Sequence, residues 1–401
     1  MEDELKILSS HVDEVLVLPR SHFTEQTRTP PPNVSVFRIP FKLSSSAKSG
    51  ALLHLPVGVL LDEIGFVKKA FKKNPSFEML RFMIGSLLIS TDLKRNLVPI
   101  IEQYRKKGYF IHLYSYWNDL SAVALALLKM KYPSLNACSR AHAFEIYDER
   151  HRMNYIPFQQ LKYKLLNHIF FISEFGLRYI QQRFSMLDFS RCSVSKLGCF
   201  EMPGPAYSKD PTCIRILSIG YNYAIKRVDL IAKSLLEIKG LKITWVHVGA
   251  AMKDKDHYHE LVQELLSPVK SIDFQFPGNL KREELKQLYG HNTFDVLLNV
   301  SPLEGIPVSM MECMSAGVPV IATAVGGVPE IVKENYNGIL LPANPKPEEI
   351  AAALLKFHSQ SEEQLLTFRR HARMTWEANL NALINYPRFV KDLLSRKDAI
   401  A

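Results

Sequence analysis

The sequence predicts an α/β protein made of two Rossmann-like domains with parallel sheets, and three observations point there. Short apolar runs alternate with helix-period segments through residues 214–358. The same alternation, less regular, runs through the first half. A break with two prolines and a glycine, Glu201–Lys209 (EMPGPAYSK), separates the two. Strands that alternate with helices need crossover connections, and these build parallel sheets covered on both faces.

The chain opens in a helix, Glu2–Ser10 (EDELKILSS), followed by a strand, Val12–Leu18 (VDEVLVL). Residues 59–108 read as mostly helical and rich in lysine. Within them Val67–Lys73 (VKKAFKK) is a short basic amphipathic segment, a solvated helix end by its charge, with a rest on anionic lipid as the alternative. Strands follow at Phe110–Tyr114 (FIHLY), around Leu135–Cys138, and at Ile169–Ile172.

The second half is more regular. Strands are expected at Ile214–Gly220, Lys242–Gly249, Ile272–Phe276, Phe294–Val300, Val318–Thr323 and Gly338–Leu341. Helices are expected at Lys226–Lys239, Asp256–Leu266, Lys281–Tyr289, Val308–Ser315 and Pro347–His358, with a helix turn at Pro329–Glu334. A helix-rich tail, Glu362–Arg396, closes the chain. The expected domains are 1–203 and 210–376. In such an open sheet the default ligand site lies at the carboxyl ends of the strands, here in a cleft between the domains.

Composition narrows the class. The 401 residues, 47% apolar and 22% charged, exclude wholesale disorder, collagen and a disulfide miniprotein. The net charge is 50 − 40 = +10, and residues 1–200 carry all of it: 27 − 17 = +10, against 23 − 23 = 0 for the rest. A basic first half suits an anionic partner, and a solubilising surface bias accounts for it equally well. Nucleic acid ranks last, since no nucleic-acid motif is present. The five cysteines, at 138, 192, 199, 213 and 313, form no CxxC pair and fit a reducing cytosol. The acidic start Met1-Glu-Asp-Glu-Leu does not read as a signal peptide. No apolar run approaches the ~18 residues of a membrane span.

The most informative stretch is Ser301–Val332 (SPLEGIPVSMMECMSAGVPVIATAVGGVPEIV). Glu304 and Gly305 lie in the turn after a strand, Pro307 where helices start, and Glu312 on the helix. Eight helical residues span on the order of 12 Å. Two carboxylates so spaced can grip hydroxyls at opposite ends of an extended ligand. The free amides of the helix start, Ile306–Val308, suit a diphosphate between them. Gly305 permits close backbone approach.

Nearly letter for letter, this stretch resembles the EGxPxxxxEAMxxGxPVIATxxGGxPEIV signature of retaining GT-B glycosyltransferases of family 4. The resemblance extends to SIGYNYAIKRVDLI, where Gly220 and Lys226 match the segment that opens the family's donor domain. It implies that Lys226 neutralises a leaving diphosphate. The family usually carries arginine five residues before that lysine, where this chain has Tyr221. Ser139–Phe158 (SRAHAFEIYDERHRMNYIPF) is similar to the SRAHGxDLY block of bacterial polysaccharide glycosyltransferases, with Ala143 for glycine and Glu145 for aspartate. This implies His142 near the donor sugar and the reacting centre, and Arg140 orienting the loop or meeting an acceptor phosphate. Tyr114–Asn118 (YSYWN) also matches and is implied on the acceptor side. Family members open with a strand and a glycine-rich loop, so the first strand of the N-terminal domain is expected to be absent here.

The resemblance implies a GT-B fold whose last helix, 379–396, crosses back to the first domain. It implies transfer of a sugar, with retention, from a UDP- or GDP-sugar to a lipid-linked glycan. The implied catalytic set is His142, Lys226 and Glu304. The donor set is Gly220, Tyr221, Lys226, Glu304, Gly305, Ile306, Pro307, Val308 and Glu312. Tyr114 and Arg140 are implied on the acceptor side. No cofactor and no metal is implied. The protein would be cytoplasmic, against the anionic inner face of the plasma membrane. The alternatives are a catalytically inactive or truncated GT-B scaffold, motivated by Tyr221 and the chain's start, and another GT-B enzyme such as a nucleotide-sugar epimerase or a phosphorylase. Asp254-Lys255-Asp256 is a DxD that reads as a solvated loop. His257 and His259 are two apart and face different sides of a helix.

Overall fold

The computed structural model describes residues 2–19, 29–37, 55–221, 224–250 and 257–395. The DxD at 254–256 lies outside them. The chain divides into two units, Met1–Ser195 with Tyr386–Ala401, and Lys196–Asn385.

In the first unit β1 (Val15–Val17) and β2 (Val34–Val36) form a small parallel pair. β3 (His112–Ser115), β4 (Asn136–Ala141), β5 (His168–Phe171) and β6 (Cys192–Val194) form a four-stranded parallel sheet in chain order. Helix Phe77–Lys106 starts where Ser76 accepts a hydrogen bond from the Met79 amide at 3.2 Å. The basic segment of the sequence is the end of helix Val57–Phe71, with Val67 buried and Lys68 and Lys69 exposed. Helix Leu120–Lys131 is capped by Asp119 and buried from Ala122 to Lys129, as a helix covered on several sides must be. The last helix, Ala382–Ser395, belongs to this unit from Tyr386 onward. There Phe389, Val390 and Leu393 pack with Cys138 and Phe170.

The second unit contains β7 (Cys213–Ile219), β8 (Lys242–Val248), β9 (Ile272–Gly278), β10 (Val296–Asn299), β11 (Val320–Thr323) and β12 (Gly338–Leu341). All are parallel, in the order β12-β11-β10-β7-β8-β9. Chain order therefore reverses between β7 and β10, the topological switch point where open sheets bind ligands. Ile214, Ile216, Trp245, Val296, Leu298 and Ile321 form the centre of the core. Helices Val228–Leu236 and Pro347–His358 contribute Ile231, Leu235, Leu354 and Phe357 to it.

All three described sheets are parallel and both units are α/β, as expected. Helices Val308–Ser315 and Pro347–His358 and strand β12 fall on the expected residues. The segment Glu201–Lys209 has no regular structure but is tied down. The Met202 amide donates to Ser315 Oγ at 3.0 Å, and Arg373 pairs with Glu201 at 2.7 Å. No described helix is long and apolar enough to cross a membrane.

Candidate active site

At the switch point β7 ends at Ile219, and Gly220 turns the chain. Gly249, at the end of β8, has φ 148°, and a Cβ there would lie 1.9 Å from the Gly220 carbonyl oxygen. Only glycine allows that approach. A 3-10 turn, Ala224–Lys226, then brings Lys226 back over the strand end. A Cβ at Gly220 would lie 3.0 Å from the Lys226 side chain.

From the neighbouring strand, β10 delivers Asn299 and, five residues on, Glu304. Lys226 Nζ meets Glu304 Oε1 at 2.6 Å, and Asn299 Nδ2 donates to the same oxygen at 3.4 Å. The side chains are 24% and 13% exposed, so water and solutes reach the pair. The glycine pair at 326–327 has a local reason. Gly326 has φ 54°, and a Cβ on it would lie 1.8 Å from the Glu304 carbonyl oxygen. The Gly327 amide donates to the Gly305 carbonyl at 3.0 Å. Side chains at 326 or 327 would push Glu304 off the strand ends. Ile306 and Pro307 are buried, Pro307 precedes helix Val308–Ser315, and Val308 is exposed. Glu312 sits half-buried on the second turn of that helix. Tyr221, directly after Gly220, is exposed.

In the first unit His142 follows the last residue of β4. It is buried, with its ring against Trp117 (4.3 Å between centres) and Tyr116 (4.9 Å). Neither ring nitrogen has a hydrogen-bond partner among the described residues. Burial, with the Arg140 charge behind it, holds the imidazole well below its ordinary pKa. The ring is therefore neutral at neutral pH, able to donate from one nitrogen and accept at the other.

Arg140, expected either to orient the loop or to meet an acceptor phosphate, is enclosed, which leaves no room for the phosphate. It pairs with the buried Glu4 carboxylate, donates to Ser195 Oγ at 3.0 Å and lies 3.8 Å over the Phe389 ring. Its charge is already met inside the unit. Tyr114 packs its ring against Phe389 at 5.4 Å, and burial raises its phenol far above the ordinary value. Both residues hold the last helix and the first one to the sheet.

A buried polar network lies beside His142, and only Glu145 of it was singled out in the sequence. The His142 amide donates to Glu145 Oε2 at 3.1 Å. Burial pushes the Glu145 and Glu63 carboxyls up to about 7 each and the Lys162 ammonium down to about 8. Lys162 donates to the Asn118 carbonyl at 2.6 Å, and Glu63 accepts from Tyr155 at 2.5 Å and from the Phe158 amide at 2.8 Å. Asn118 and Glu145 fall inside the two sequence blocks around Trp117 and His142. Lys162 and Glu63 carry no sequence signal, since a lone lysine or glutamate on a helix reads as surface.

Among the described residues, no group of three His, Cys, Asp or Glu side chains is placed to hold a metal ion. His259 stacks its ring on Phe276 at 5.0 Å.

The stretch that carries Lys226, Glu304 and the glycine pair matches the family model of glycosyl transferases group 1 over residues 206–374. Residues 206–374 thus resemble a group 1 glycosyl transferase domain. Within the chain, 147 residues are 36% identical to the amylovoran biosynthesis glycosyltransferase AmsK of Erwinia amylovora, covering 35% of each chain. A stretch of 111 residues is 31% identical to the putative colanic acid biosynthesis glycosyltransferase WcaL of Escherichia coli (strain K12), covering 27% of each. The matches thus span about a third of these curated relatives' length or less. Among solved structures, Anabaena HepE in complex with UDP and glucose is similar at a TM-score of 0.66, with 14% identity, over 98% of this chain and 96% of that one. A glycosyltransferase from Rickettsia africae is similar at 0.60, with 14% identity, over 96% and 100%. At that identity the likeness is one of fold, and the fold is GT-B.

Proposed function

We propose that this chain is a retaining glycosyltransferase of family 4. It would move a hexosyl group from a UDP- or GDP-sugar to a glycan or lipid-linked oligosaccharide in cell-surface polysaccharide synthesis. The observation that carries the reading is the Lys226–Glu304 pair at the switch point of the sheet within residues 206–374, which match the group 1 glycosyl transferase model. Two further facts support it: relatives named for amylovoran and colanic acid synthesis, and a structural neighbour in complex with UDP.

In this reading a diphosphate takes Lys226 from Glu304, supported by the amides near Ile306–Val308 and by Gly220. Glu304, released from the lysine, accepts hydrogen bonds from the sugar's hydroxyls, and Glu312 takes those of the ribose. Tyr221 offers a hydrogen bond but no charge. Neutral His142 orients the transferred sugar. The glycosidic bond to the diphosphate breaks as the acceptor oxygen bonds to the anomeric carbon on the same face, and the departing phosphate oxygen takes the acceptor's proton. The residues supply charge stabilisation and orientation, with no metal ion. The basic first half, +10 over residues 1–200 by 27 − 17, would draw the chain to the anionic inner face of the plasma membrane, where a lipid-linked acceptor resides.

Calorimetry with UDP, GDP and their hexose conjugates tests the donor site. The parent binds one of them, and Lys226→Ala and Glu304→Ala weaken binding and slow transfer by about 10²-fold or more. Absence of binding by the parent, or equal affinity in both variants, rejects the reading. Product analysis with a labelled donor separates transfer from epimerisation, and binding without any turnover identifies an inactive scaffold.

A further inference from the structure

Lys226 has a long, flexible stem, yet its ammonium meets one oxygen of Glu304 at 2.6 Å. A lysine is placed that well only where its backbone is fixed. The next residue does the fixing. The Arg227 amide donates to the Ala224 carbonyl at 3.2 Å and closes the 3-10 turn Ala224–Lys226. The Arg227 carbonyl accepts from the amides of Leu230 at 2.9 Å and Ile231 at 3.2 Å, and so opens helix Val228–Leu236. A residue that begins a helix ordinarily has extended φ and ψ. Arg227 has φ 49° and ψ 43°, the left-handed region that glycine favours.

An arginine keeps that conformation only where its surroundings impose it. Here they act from two sides. Arg227 Nη2 donates to Asn344 Oδ1 at 2.6 Å, and Nη1 donates to the Ala343 carbonyl at 3.3 Å. Both acceptors lie in the loop between β12 and helix Pro347–His358, which packs against helix Val228–Leu236. That loop is itself held. The Leu341 carbonyl before it accepts from the Ala324 amide at 2.8 Å, and Pro345 within it is buried. On the other side Val228, the residue after Arg227, is fully buried in the core. The turn is thus gripped between a buried valine and a planar guanidinium fork, which fixes direction as well as distance.

We propose that Arg227 is a positioning residue, whose tether to Asn344 and Ala343 holds the turn that carries Lys226 over the end of β7. This rests on the transferase reading above and deepens it, because it gives the diphosphate site a determinant outside the residues that touch the ligand. The Lys226 stem runs across Gly220, where a Cβ would lie 3.0 Å from it. A turn that is let go lifts the stem off the glycine and draws the ammonium away from Glu304. Misplacing such a group by about 1 Å is enough to cost on the order of 10²-fold in rate.

The reactivity of Lys226 tests this without a ligand. Acetylation by N-hydroxysuccinimide acetate, followed lysine by lysine in mass spectrometry, reads how firmly each ammonium is held by its carboxylate. Glu304→Gln sets the reading for a released Lys226. Lys233, paired with Asp229 at 2.9 Å on the following helix, is the internal control. Asn344→Ala cuts the tether without changing any charge. It is expected to raise Lys226 labelling about threefold or more and to leave Lys233 at the parent's value. Arg227→Lys, which keeps the charge but lacks the fork, is expected to do the same. In calorimetry with UDP and GDP, both variants are expected to weaken whichever nucleotide the parent binds about tenfold. Unchanged Lys226 labelling in Asn344→Ala overturns the proposal. So does a rise at both lysines, or a fall of more than about 4 °C in the unfolding midpoint, since the tether would then be a general support of the helix. Raised Lys226 labelling with parent-like nucleotide affinity overturns it as well, because the placement would serve no ligand. Failure of the transferase reading has a different signature: the parent binds neither nucleotide while the labelling difference persists.

Discussion

The two units handle charge in opposite ways. In the second, Lys226 and Glu304 pair at the strand ends, where solvent reaches both. In the first, Arg140 and Glu4 pair in full enclosure, with Glu63, Glu145 and Lys162 buried nearby. An ion pair open to water is worth little to the fold, so a ligand's phosphate can replace one partner at small cost. A sealed pair cannot be opened without leaving a bare charge in a low dielectric. The comparison separates two kinds of charged residue that a sequence shows alike: those that hold the fold, and those left available to a ligand.

Truncating one partner in each unit is the widest test of this contrast. Arg140→Ala leaves the Glu4 carboxylate buried and unpaired, and is expected to cost about 3–5 kcal/mol. It also removes the cation that lies over Phe389, where the last helix meets the sheet. Lys226→Ala is expected to cost under about 1 kcal/mol, because water can replace the lysine at Glu304. Urea unfolding of the two variants decides it. A Lys226→Ala variant as destabilised as Arg140→Ala would break the comparison.

The sequence displayed the second unit better than the first for a physical reason. Its strands are seven or four residues long and alternate with helices, so apolar run and helical period can be told apart. The first unit contains β2 and β6 of three residues each, Val34–Val36 and Cys192–Val194, too short to show a period, and neither was expected. The site divides the same way. The Glu304–Gly305 turn and the glycines at 326 and 327 are legible because backbone contact permits nothing larger at the latter two. The enclosure of Arg140 was not legible because its partner, Glu4, lies 136 residues away in the chain. Lys162 was invisible because burial of a lysine depends on what surrounds it in space.

The buried network should show itself through pH. Glu145 in the folded chain holds its proton up to about 7, against 4.5 ordinarily. Between those values the folded state binds the proton and the unfolded state has lost it. Stability from this group is therefore greatest below pH 4.5 and declines as pH rises to 7. Glu63 acts in the same direction over the same window. His142, held below its ordinary 6.5, acts in the opposite direction below that value. Lys162, lowered to about 8 from 10.5, adds stability only as pH rises from 8 to 10.5. Comparing Glu145→Gln with the parent removes the common contributions. The amide mimics the protonated acid and still accepts from the His142 amide. The variant should match the parent near pH 5 and exceed it by on the order of 1–3 kcal/mol at pH 8. Thermal unfolding across that range reads the difference, and a constant offset at all pH values would show that Glu145 is not held as a protonated acid.

The smallest expected effect bears on the open side of the comparison. Tyr221 is 52% exposed, directly after Gly220 and five residues before Lys226, where the family resemblance has arginine. Tyr221→Arg adds a cation beside the open pair without disturbing a core, so stability should stay within about 0.5 kcal/mol. If the strand ends receive a diphosphate, the new charge attracts it through water-rich surroundings, which limits the gain to about 1 kcal/mol or a few-fold in affinity for UDP. Such a gain must fade with salt, because a Debye length of about 10 Å at 0.1 M screens it. Calorimetry at low and high ionic strength therefore gives two readings from one variant. Tighter UDP binding that weakens with salt more steeply than in the parent locates an anion beside residue 221. Unchanged affinity and unchanged salt dependence would move the diphosphate away from the Lys226–Glu304 pair, and the openness of that pair would then need another explanation.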